Sequence, residues 1–454
     1  MELHEEKRGD EAQMGELEAR IKILEEENRI LRSALQMQSE FFSCSQSSEQ
    51  FLPTLDVLSE LSADHVERYS RQMITADGFG VGGQKKLLSS AVLVIGAGGI
   101  GSTAIPYLAA AGVGRIGIVD FDTVDISNLH RQVIHKTADI GMNKAVSACH
   151  AVRSLNPMCE VYSYETDLNH GNALPLVQNF DCVVDCSDNP KTRYLVNDAC
   201  VLAEKPLISA SAIGTEGQVT VYNFQGAPCY RCLYPTPNAA GGCRTCVDAG
   251  VLGPVPGLVG ILQATETLKV LTGSGTTMKG HLLMYNAMDC SFLKIVKPPK
   301  QTKCRVCGPD ATILSMEASN ASLLHAQGPM QTIDRPSLPS ESNISCIEYS
   351  RVREDKVPHI LVDVRTKLQF EMCALEEAVH IPLSSLSQQL DQIEKLSGGT
   401  KPVYCICRRG VDSVEATRIL DAAKLSHPNI HSAKNVAGGL VSWRKEVDTS
   451  FPKY

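Results

Sequence analysis

Short apolar runs alternate with amphipathic stretches through the middle of the chain. Residues 91–95 (AVLVI), 116–120 (IGIVD) and 182–185 (CVVD) have the continuous apolar character of strands that are buried on both faces. A helical pattern over residues 143–155 lies between the second and the third run. This alternation of strand and helix predicts an α/β fold with a doubly wound, mostly parallel sheet.

The same kind of pattern returns near the C-terminus. Residues 360–364 (ILVDV) and 403–406 (VYCI) predict strands, and residues 414–425 predict a helix. The stretch 311–342 is rich in Ser, Pro and Asn and has no clear periodicity, so it predicts a linker with room for one short helix. The chain is therefore expected to hold one α/β domain over 62–310 and a smaller one over 343–454.

The N-terminal pattern differs, because over residues 12–38 apolar positions recur at alternating steps of three and four. The seam consists of Met14, Leu17, Ile21, Leu24, Asn28, Leu31 and Leu35. Such an a/d repeat with one Asn is typical of a short coiled coil. One amphipathic helix lying on a domain surface would give the same pattern, so both interpretations stay open.

Charge and cysteine content narrow the classes of function. Among 454 residues, 43 are Lys or Arg and 51 are Asp or Glu, so a surface that coats nucleic acid is not expected. No run of eighteen apolar residues is present, and the N-terminus has no apolar signal region, so neither a membrane span nor export is expected. We therefore predict a cytosolic protein. Its 17 cysteines should be reduced thiols used for metal binding or catalysis.

A glycine-rich turn follows the first predicted strand directly. Gly96-Ala-Gly98-Gly99-Ile-Gly101 is a G-x-G-x-x-G motif that opens an apolar helix, where backbone N–H groups can approach a phosphate. Asp120, at the end of the next strand, can accept hydrogen bonds from a ribose. These residues predict a nucleotide site, and from them alone NAD and ATP are equally good ligands.

Cationic and hydrogen-bonding side chains close to this turn favour a triphosphate over NAD. Arg131 lies in the segment 125–132 (DISNLHRQ), Lys144 begins the following helical stretch, and Arg71 precedes the first strand. Any one of these cations could be an ordinary surface charge. Their clustering around a nucleotide turn predicts phosphoryl chemistry, which needs several cations and no hydride acceptor.

Together these motifs resemble the ubiquitin-activating superfamily. The resemblance rests on RYSRQ at 68–72, GAGGIG at 96–101, the acidic and SNLHRQ segment at 120–132, and Asp188-Asn189 after a strand. It implies an ATP-dependent enzyme that adenylates the C-terminal glycine of a ubiquitin-like partner. It also implies that Asp188 binds Mg²⁺ and that Arg71 reaches the phosphates of a neighbouring subunit, which makes the protein a homodimer. The residues it assigns to ATP binding are Gly99, Asp120, Ser127, Asn128, Leu129, His130, Arg131, Lys144, Asp188 and Asn189.

Three Cys-x-x-Cys pairs begin at residues 229, 243 and 304, whereas a structural zinc site needs only two such pairs. Spacing alone allows the first two pairs to form a compact ribbon. The resemblance instead assigns zinc to Cys229, Cys232, Cys304 and Cys307. It makes Cys246 the thiol that attacks the acyl-adenylate, although an inert loop thiol would give the same sequence. Cys243 has no assigned role.

The smaller domain carries a cysteine loop of its own. Cys407 follows a predicted strand and begins the sequence CRRGVDS, in which successive N–H groups can stabilise a thiolate or a persulfide. With residues 361–365 (LVDVR) and 378–383 (AVHIPL), this loop resembles a rhodanese domain in which Cys407 carries sulfur. A tyrosine phosphatase uses a similar Cys–Arg loop. Cys405, two residues earlier, is expected to be a buried strand residue.

The order of the two domains resembles the eukaryotic enzymes that combine an adenylyltransferase with a sulfurtransferase. This resemblance implies two ubiquitin-like partners, the small subunit of molybdopterin synthase and the ubiquitin-related modifier used in thiolation of tRNA wobble uridine. It implies in addition a cysteine desulfurase as the sulfur donor. Two other functions remain open: activation of a modifier for protein conjugation with an inert rhodanese domain, and an interaction protein with a dead nucleotide fold.

Overall fold

The structure is a computed structural model that describes residues 58–75, 79–237, 250–326 and 338–453, together with residues 20, 52, 55 and 56. The predicted coiled coil over 12–38 lies outside the described residues apart from Arg20, and so remains a prediction. The chain divides into two compact units, and the division falls in the undescribed stretch 327–337.

The first unit is built on an eight-stranded sheet with the order β3-β2-β1-β4-β5-β6-β7-β8. The strand pairs from β3 to β5 in this order are parallel, whereas the pairs from β5 to β8 are antiparallel. The order 3-2-1-4-5 confirms the predicted doubly wound sheet. The strands are β1 (Ala91–Ile95), β2 (Arg115–Val119), β3 (Glu160–Tyr164), β4 (Cys182–Asp185), β5 (Leu207–Ile213), β6 (Glu216–Tyr222), β7 (His281–Asn286) and β8 (Ser291–Val296).

Helices cover both faces of this sheet, as the apolar runs require. One core contains side chains from the helices Gly101–Ala110, Lys144–Leu155 and Pro254–Thr272. The opposite core contains side chains from the helices Ala173–Gln178 and Pro190–Leu202. The remaining α-helices in the described part of this unit are Ala63–Met73, Gly80–Leu88, Tyr230–Leu233 and Met316–Ala326. Among the described helices, none is both long and apolar enough to span a membrane.

The second unit has a five-stranded, fully parallel sheet with the order β11-β10-β12-β13-β9. Its strands are β9 (Asn343–Ile344), β10 (Ile360–Asp363), β11 (Val379–His380), β12 (Val403–Ile406) and β13 (Ala433–Val436). Helices again lie on both faces: Cys346–Glu354, Lys367–Met372, Leu390–Ser397, Asp412–Ala423 and Gly439–Glu446.

One helix lies inside the predicted linker, which left room for a short helix without giving its position. Met316–Ala326 buries Ser319 and Ser322, and Met316 joins the core beside the helix Pro190–Leu202. Its buried face is partly polar, which explains why no apolar periodicity marks it in the sequence.

Candidate functional site

The glycine-rich turn lies at the carboxyl end of β1. Gly96 has φ +96°, a conformation that side chains other than glycine rarely adopt. A Cβ on Gly101 would lie 2.2 Å from the carbonyl oxygen of Gly96, so the helix can begin this close to the strand only with glycine there. The turn and the N-terminus of the helix Gly101–Ala110 therefore form a backbone cradle suited to a phosphate group.

Asp120 ties the turn to the end of β2. Its carboxylate accepts a hydrogen bond from the N–H of Ala97 at 2.8 Å and another from the N–H of Asp122 at 2.9 Å. Burial raises the pKa of this carboxyl above its ordinary value, while the positive charge of Lys144 acts in the opposite direction. A partly buried carboxylate is thus held beside the glycine turn.

Lys144 is brought to the same region by the start of its helix. Asn143 caps that helix by accepting a hydrogen bond from the N–H of Ala145 at 2.8 Å. The Lys144 side chain is buried, and its ammonium forms an ion pair with Asp122 at 2.8 Å. This ion pair holds the ammonium near the carboxyl end of β2. A triphosphate bound there could compete with Asp122 for the ammonium.

The segment 125–132 forms a short 3₁₀ helix, Ile126–Asn128, whose start is capped by the Asp125 carboxylate. Arg131 donates to the Asn128 side chain at 2.6 Å, and its Cγ lies 3.5 Å from the position that a Cβ on Gly99 would take. This places Arg131 directly against the glycine turn. The neighbouring Ser127 and His130 side chains are exposed, while Leu129 is half-buried.

The carboxyl end of β4 completes this edge of the sheet, because β1 and β4 are neighbours and Ile95 pairs with Asp185. Asp188 and Asn189 are exposed, and Asn189 caps the helix Pro190–Leu202. Asp185, which sequence analysis overlooked, is fully buried and accepts hydrogen bonds from Ser187 and Ser209. It braces the strand end that presents Asp188.

Arg71 is exposed in the last turn of the helix Ala63–Met73, which packs on the helix Gly80–Leu88. The position of its helix is set by Tyr69 and Gln72, whose side chains make hydrogen bonds in the interior of the unit.

Four cysteines form a compact cluster that can hold a metal ion. The ligand atoms of Cys229, Cys232, Cys304 and Cys307 all lie within 4.8 Å of one another. Hydrogen bonds among the four thiols lower the pKa of Cys232 and of Cys304 and raise the pKa of Cys229 and of Cys307. A tetrahedral arrangement of four thiolates is the usual structural zinc site. The structure thus brings together the first and third Cys-x-x-Cys pairs.

The cluster is attached to the domain by Arg231, a charged residue between two of its cysteines that sequence analysis missed. The guanidinium is buried and makes a forked ion pair with the fully buried Asp198, at 2.7 and 2.8 Å. Ser319 also donates to Asp198, at 2.6 Å, which ties in the helix Met316–Ala326. Nothing in the local sequence distinguishes this arginine from a solvent-exposed residue of a zinc knuckle.

Cys243 and Cys246 lie outside the described residues. The described chain resumes at Gly250 and enters the helix Pro254–Thr272. The Cβ of Pro256 in this helix lies 3.2 Å from the position that a Cβ on Gly99 would take.

In the second unit, Cys407 follows β12 and is buried. Its sulfur accepts a hydrogen bond from the N–H of Gly410 at 3.2 Å and lies 3.3 Å from the Ser413 hydroxyl oxygen. Gly410 has φ +83°, and a Cβ there would lie 2.7 Å from the backbone nitrogen of Gly438. The loop therefore curls around the sulfur in the way that an anionic sulfur requires.

Cys405 is a core residue of β12, as expected, and it lies in the same apolar cluster as Cys407. Complete burial raises the pKa of its thiol to about 12, so it stays protonated at neutral pH. The predicted LVDVR motif forms a buried ion pair between Asp363 and Arg365, with Nε at 2.9 Å from the carboxylate, at the strand end paired with Ile406.

Each of the two units matches a known protein family. The ThiF family matches residues 69–306, and the rhodanese-like domain matches residues 348–446. Adenylyltransferase and sulfurtransferase MOCS3-1 of Zea mays is 42% identical over 401 residues, which is 87% of this chain and 84% of that protein. MOCS3 of Xenopus laevis is 42% identical over 422 residues, and MOCS3 of Sus scrofa is 41% identical over 426 residues. Both alignments cover 90% of this chain and 92% of the relative.

Proposed function

The chain belongs to the MOCS3 family of adenylyltransferases and sulfurtransferases, and we propose that its substrates are ubiquitin-like sulfur carriers. The enzyme adenylates the C-terminal glycine of the carrier with ATP and then turns that glycine into a thiocarboxylate. The observation that carries this proposal is the presence, in one chain, of a phosphate cradle at Gly96–Gly101 and a closed cysteine loop at Cys407.

In the first half-reaction, a carboxylate oxygen of the carrier attacks the α-phosphorus of ATP, and pyrophosphate leaves with the electron pair of the broken P–O bond. Because both reactants are anionic, the protein contributes mainly position and positive charge. Arg131 lies against Gly99, and Lys144 can exchange its bond to Asp122 for one to a phosphate. Asp120 accepts hydrogen bonds from the ribose. The other residues of the ATP site are Ser127, Asn128, Leu129, His130 and Asn189.

Two metal ions bind at different sites in the proposed enzyme, one catalytic and one structural. Asp188, exposed at the end of β4, would hold Mg²⁺, which neutralises charge on the triphosphate. Cys229, Cys232, Cys304 and Cys307 would hold one structural Zn²⁺, since four thiolates within 4.8 Å suit this ion.

Arg71 acts at the phosphates of a partner subunit, so the enzyme is a homodimer. Its exposure in the last turn of the helix Ala63–Met73 supports this role, since an arginine that reaches another subunit must leave its own surface.

In the second half-reaction, the Cys246 thiolate attacks the carbonyl carbon of the acyl-adenylate. A C–S bond forms, AMP leaves, and the product is a thioester. The terminal sulfur of a Cys407 persulfide then attacks the same carbon and returns Cys246 to the thiolate, giving an acyl disulfide. A dithiol reductant supplies two electrons to cleave the S–S bond, which releases the thiocarboxylate and regenerates the Cys407 thiol.

The carriers are the small subunit of molybdopterin synthase and the ubiquitin-related modifier used in tRNA wobble-uridine thiolation. A cysteine desulfurase reloads Cys407 with sulfur. Persulfide and thiolate chemistry needs a reducing compartment, which fits the cytosol.

A single assay tests this function. The protein is incubated with ATP, a Gly-Gly-ended carrier, a persulfide donor and a dithiol, and the carrier is weighed by mass spectrometry. We expect replacement of one oxygen by sulfur, dependent on both ATP and the donor. A carrier that is adenylated but passed to a conjugating enzyme without sulfur would identify a modifier-activating enzyme, and a carrier that is never adenylated would refute the proposal.

A further inference from the structure

Two residues close to Arg71 in the RYSRQ motif, Tyr69 and Gln72, make hydrogen bonds in the interior of the unit. Tyr69 is buried, and its hydroxyl oxygen accepts a hydrogen bond from the side-chain amide of Asn156 at 2.9 Å. The side-chain amide of Gln72 donates to the carbonyl oxygen of Ala111 at 2.7 Å and to the side chain of the fully buried Gln84. Arg71 itself stays exposed between these two anchors.

The acceptors of this network lie at one end of a single helix. Asn156 donates to the carbonyl oxygen of Ala109 at 2.7 Å, and Gln84 donates to that of Ala111 at 3.1 Å. Both carbonyls lie at the C-terminal end of the helix Gly101–Ala110, where the last backbone acceptors take partners from outside the helix. The opposite end of this helix, about 15 Å away, is the glycine-rich phosphate turn.

The residue that follows Ala111 has no room for a side chain. Gly112 has φ +87°, and a Cβ there would lie 2.6 Å from the side-chain nitrogen of Gln84 and 2.7 Å from the ring of Tyr69. The side chains from the Arg71 helix thus pack tightly against the backbone that ends the phosphate-binding helix.

We propose that Tyr69 and Gln72 are positioning residues for adenylation: they fix the helix that carries Arg71 to the far end of the helix that forms the phosphate turn. Neither residue touches the nucleotide. The clamp fixes the place on its own subunit from which Arg71 extends toward the phosphates of the partner subunit. This inference rests on the proposed role of Arg71 in adenylation.

Gln72→Glu tests the clamp, because it preserves size but removes the amide donor that faces Ala111. We expect ATP–pyrophosphate exchange to fall roughly tenfold to a hundredfold, as for a catalytic group displaced by about 1 Å. Tyr69→Phe, which removes only the hydroxyl, should lower exchange by a smaller factor. Asp64→Asn is the matched control. Asp64 is exposed in the first turn of the same helix and is not part of the network, so its replacement should leave exchange unchanged.

The double variant Arg71→Ala/Gln72→Glu separates positioning from simple stabilisation. If Gln72 acts through Arg71, the double variant exchanges pyrophosphate as slowly as Arg71→Ala alone. An equal fold-loss from Gln72→Glu in both backgrounds, or no loss in the wild-type background, overturns the inference. Normal exchange by Arg71→Ala would instead refute the role of Arg71 itself. Arg71→Ala is therefore measured first, before the Gln72 variants are interpreted.

Discussion

Each of the two units ends a parallel strand in a turn that presents backbone N–H groups to an anion, yet the turns differ in where their chemistry originates. The turn after β1 contains only Gly, Ala and Ile, and its cations come from other segments, such as Arg131 and Lys144. The turn after β12 begins with Cys407, the nucleophile that we propose, and closes around it.

The difference follows from how each anion arrives. A nucleotide must diffuse in and leave again, so its cradle is built of residues that allow close approach and of side chains that can exchange partners. A persulfide is covalently attached, so its loop can bury the sulfur. Substitutions in several elements can therefore impair the first site, whereas the second site depends on one loop.

The largest expected effect follows from removal of the nucleophile. Cys407→Ala should abolish persulfide loading and thiocarboxylate formation while leaving pyrophosphate exchange near wild type, because no cation of the first site is touched. Cys405→Ala is the matched control and should cost stability by about 1 kcal/mol or somewhat more, as for a small buried truncation, without losing either activity. Thiocarboxylate produced by Cys407→Ala and missing from Cys405→Ala would reverse the assignment.

Two glycine substitutions should each impair one half-reaction and leave the other intact. Gly101→Ala places a Cβ 2.2 Å from the Gly96 carbonyl oxygen, so we expect pyrophosphate exchange to fall at least a hundredfold with persulfide loading intact. Gly410→Ala should do the reverse, because its Cβ would meet the Gly438 nitrogen at 2.7 Å. If either variant lost both activities while remaining folded by circular dichroism, the two cradles would not be independent.

Removal of a metal ligand should affect stability rather than chemistry. If the four cysteines bind the proposed zinc, Cys304→Ser should lower the zinc content and lower the free energy of unfolding by roughly several kcal/mol, since metal binding contributes folding free energy. Cys243→Ser should retain one zinc per chain. Metal analysis and thermal unfolding of both variants make the comparison, and zinc loss confined to Cys243→Ser would contradict the cluster.

Mixing two inactive proteins tests whether the first site spans two subunits. Arg71→Ala and Lys144→Ala should each be weak in pyrophosphate exchange, and their mixture should regain part of the activity because one hybrid site per mixed dimer is intact. Subunit exchange is verified separately with tagged chains. A mixture in which mixed dimers form but activity stays at the level of the parents would show that Arg71 does not act in trans.

The smallest effect concerns Asp120, the carboxylate that we propose to bind the ribose. Burial raises the pKa of Asp120, so the folded nucleotide-free protein holds this proton more tightly than the unfolded chain does. This contribution to stability is present at low pH and is lost as the pH rises through the raised pKa. Asp120→Asn should flatten this dependence and raise the free energy of unfolding near neutral pH by on the order of 1 kcal/mol or less, while it weakens ATP binding. Thermal unfolding across pH, with and without ATP, measures both effects.

Patterns local in the chain were predictable from sequence. The apolar runs AVLVI and CVVD became β1 and β4, and the glycine spacing located the turn because it depends on backbone conformation alone. The four-cysteine cluster required the family resemblance, since spacing alone left two pairings open.

Features that depend on distant partners were not predictable. Arg231 is buried because Asp198, 33 residues away, is buried opposite it. Gln72 meets Ala111, 39 residues later. The helix Met316–Ala326 packs partly through serines, which hydrophobic periodicity does not detect. In each case the decisive contact joins polar groups across the fold.

The pair formed by Arg231 and Asp198 also has an evolutionary consequence. Because both charges lie inside the protein, loss of either one alone leaves an uncompensated buried charge, which destabilises a protein by about 3–5 kcal/mol. Lineages that change one position should therefore have changed the other, and positions 198 and 231 should covary among homologues even though neither residue takes part in the reaction.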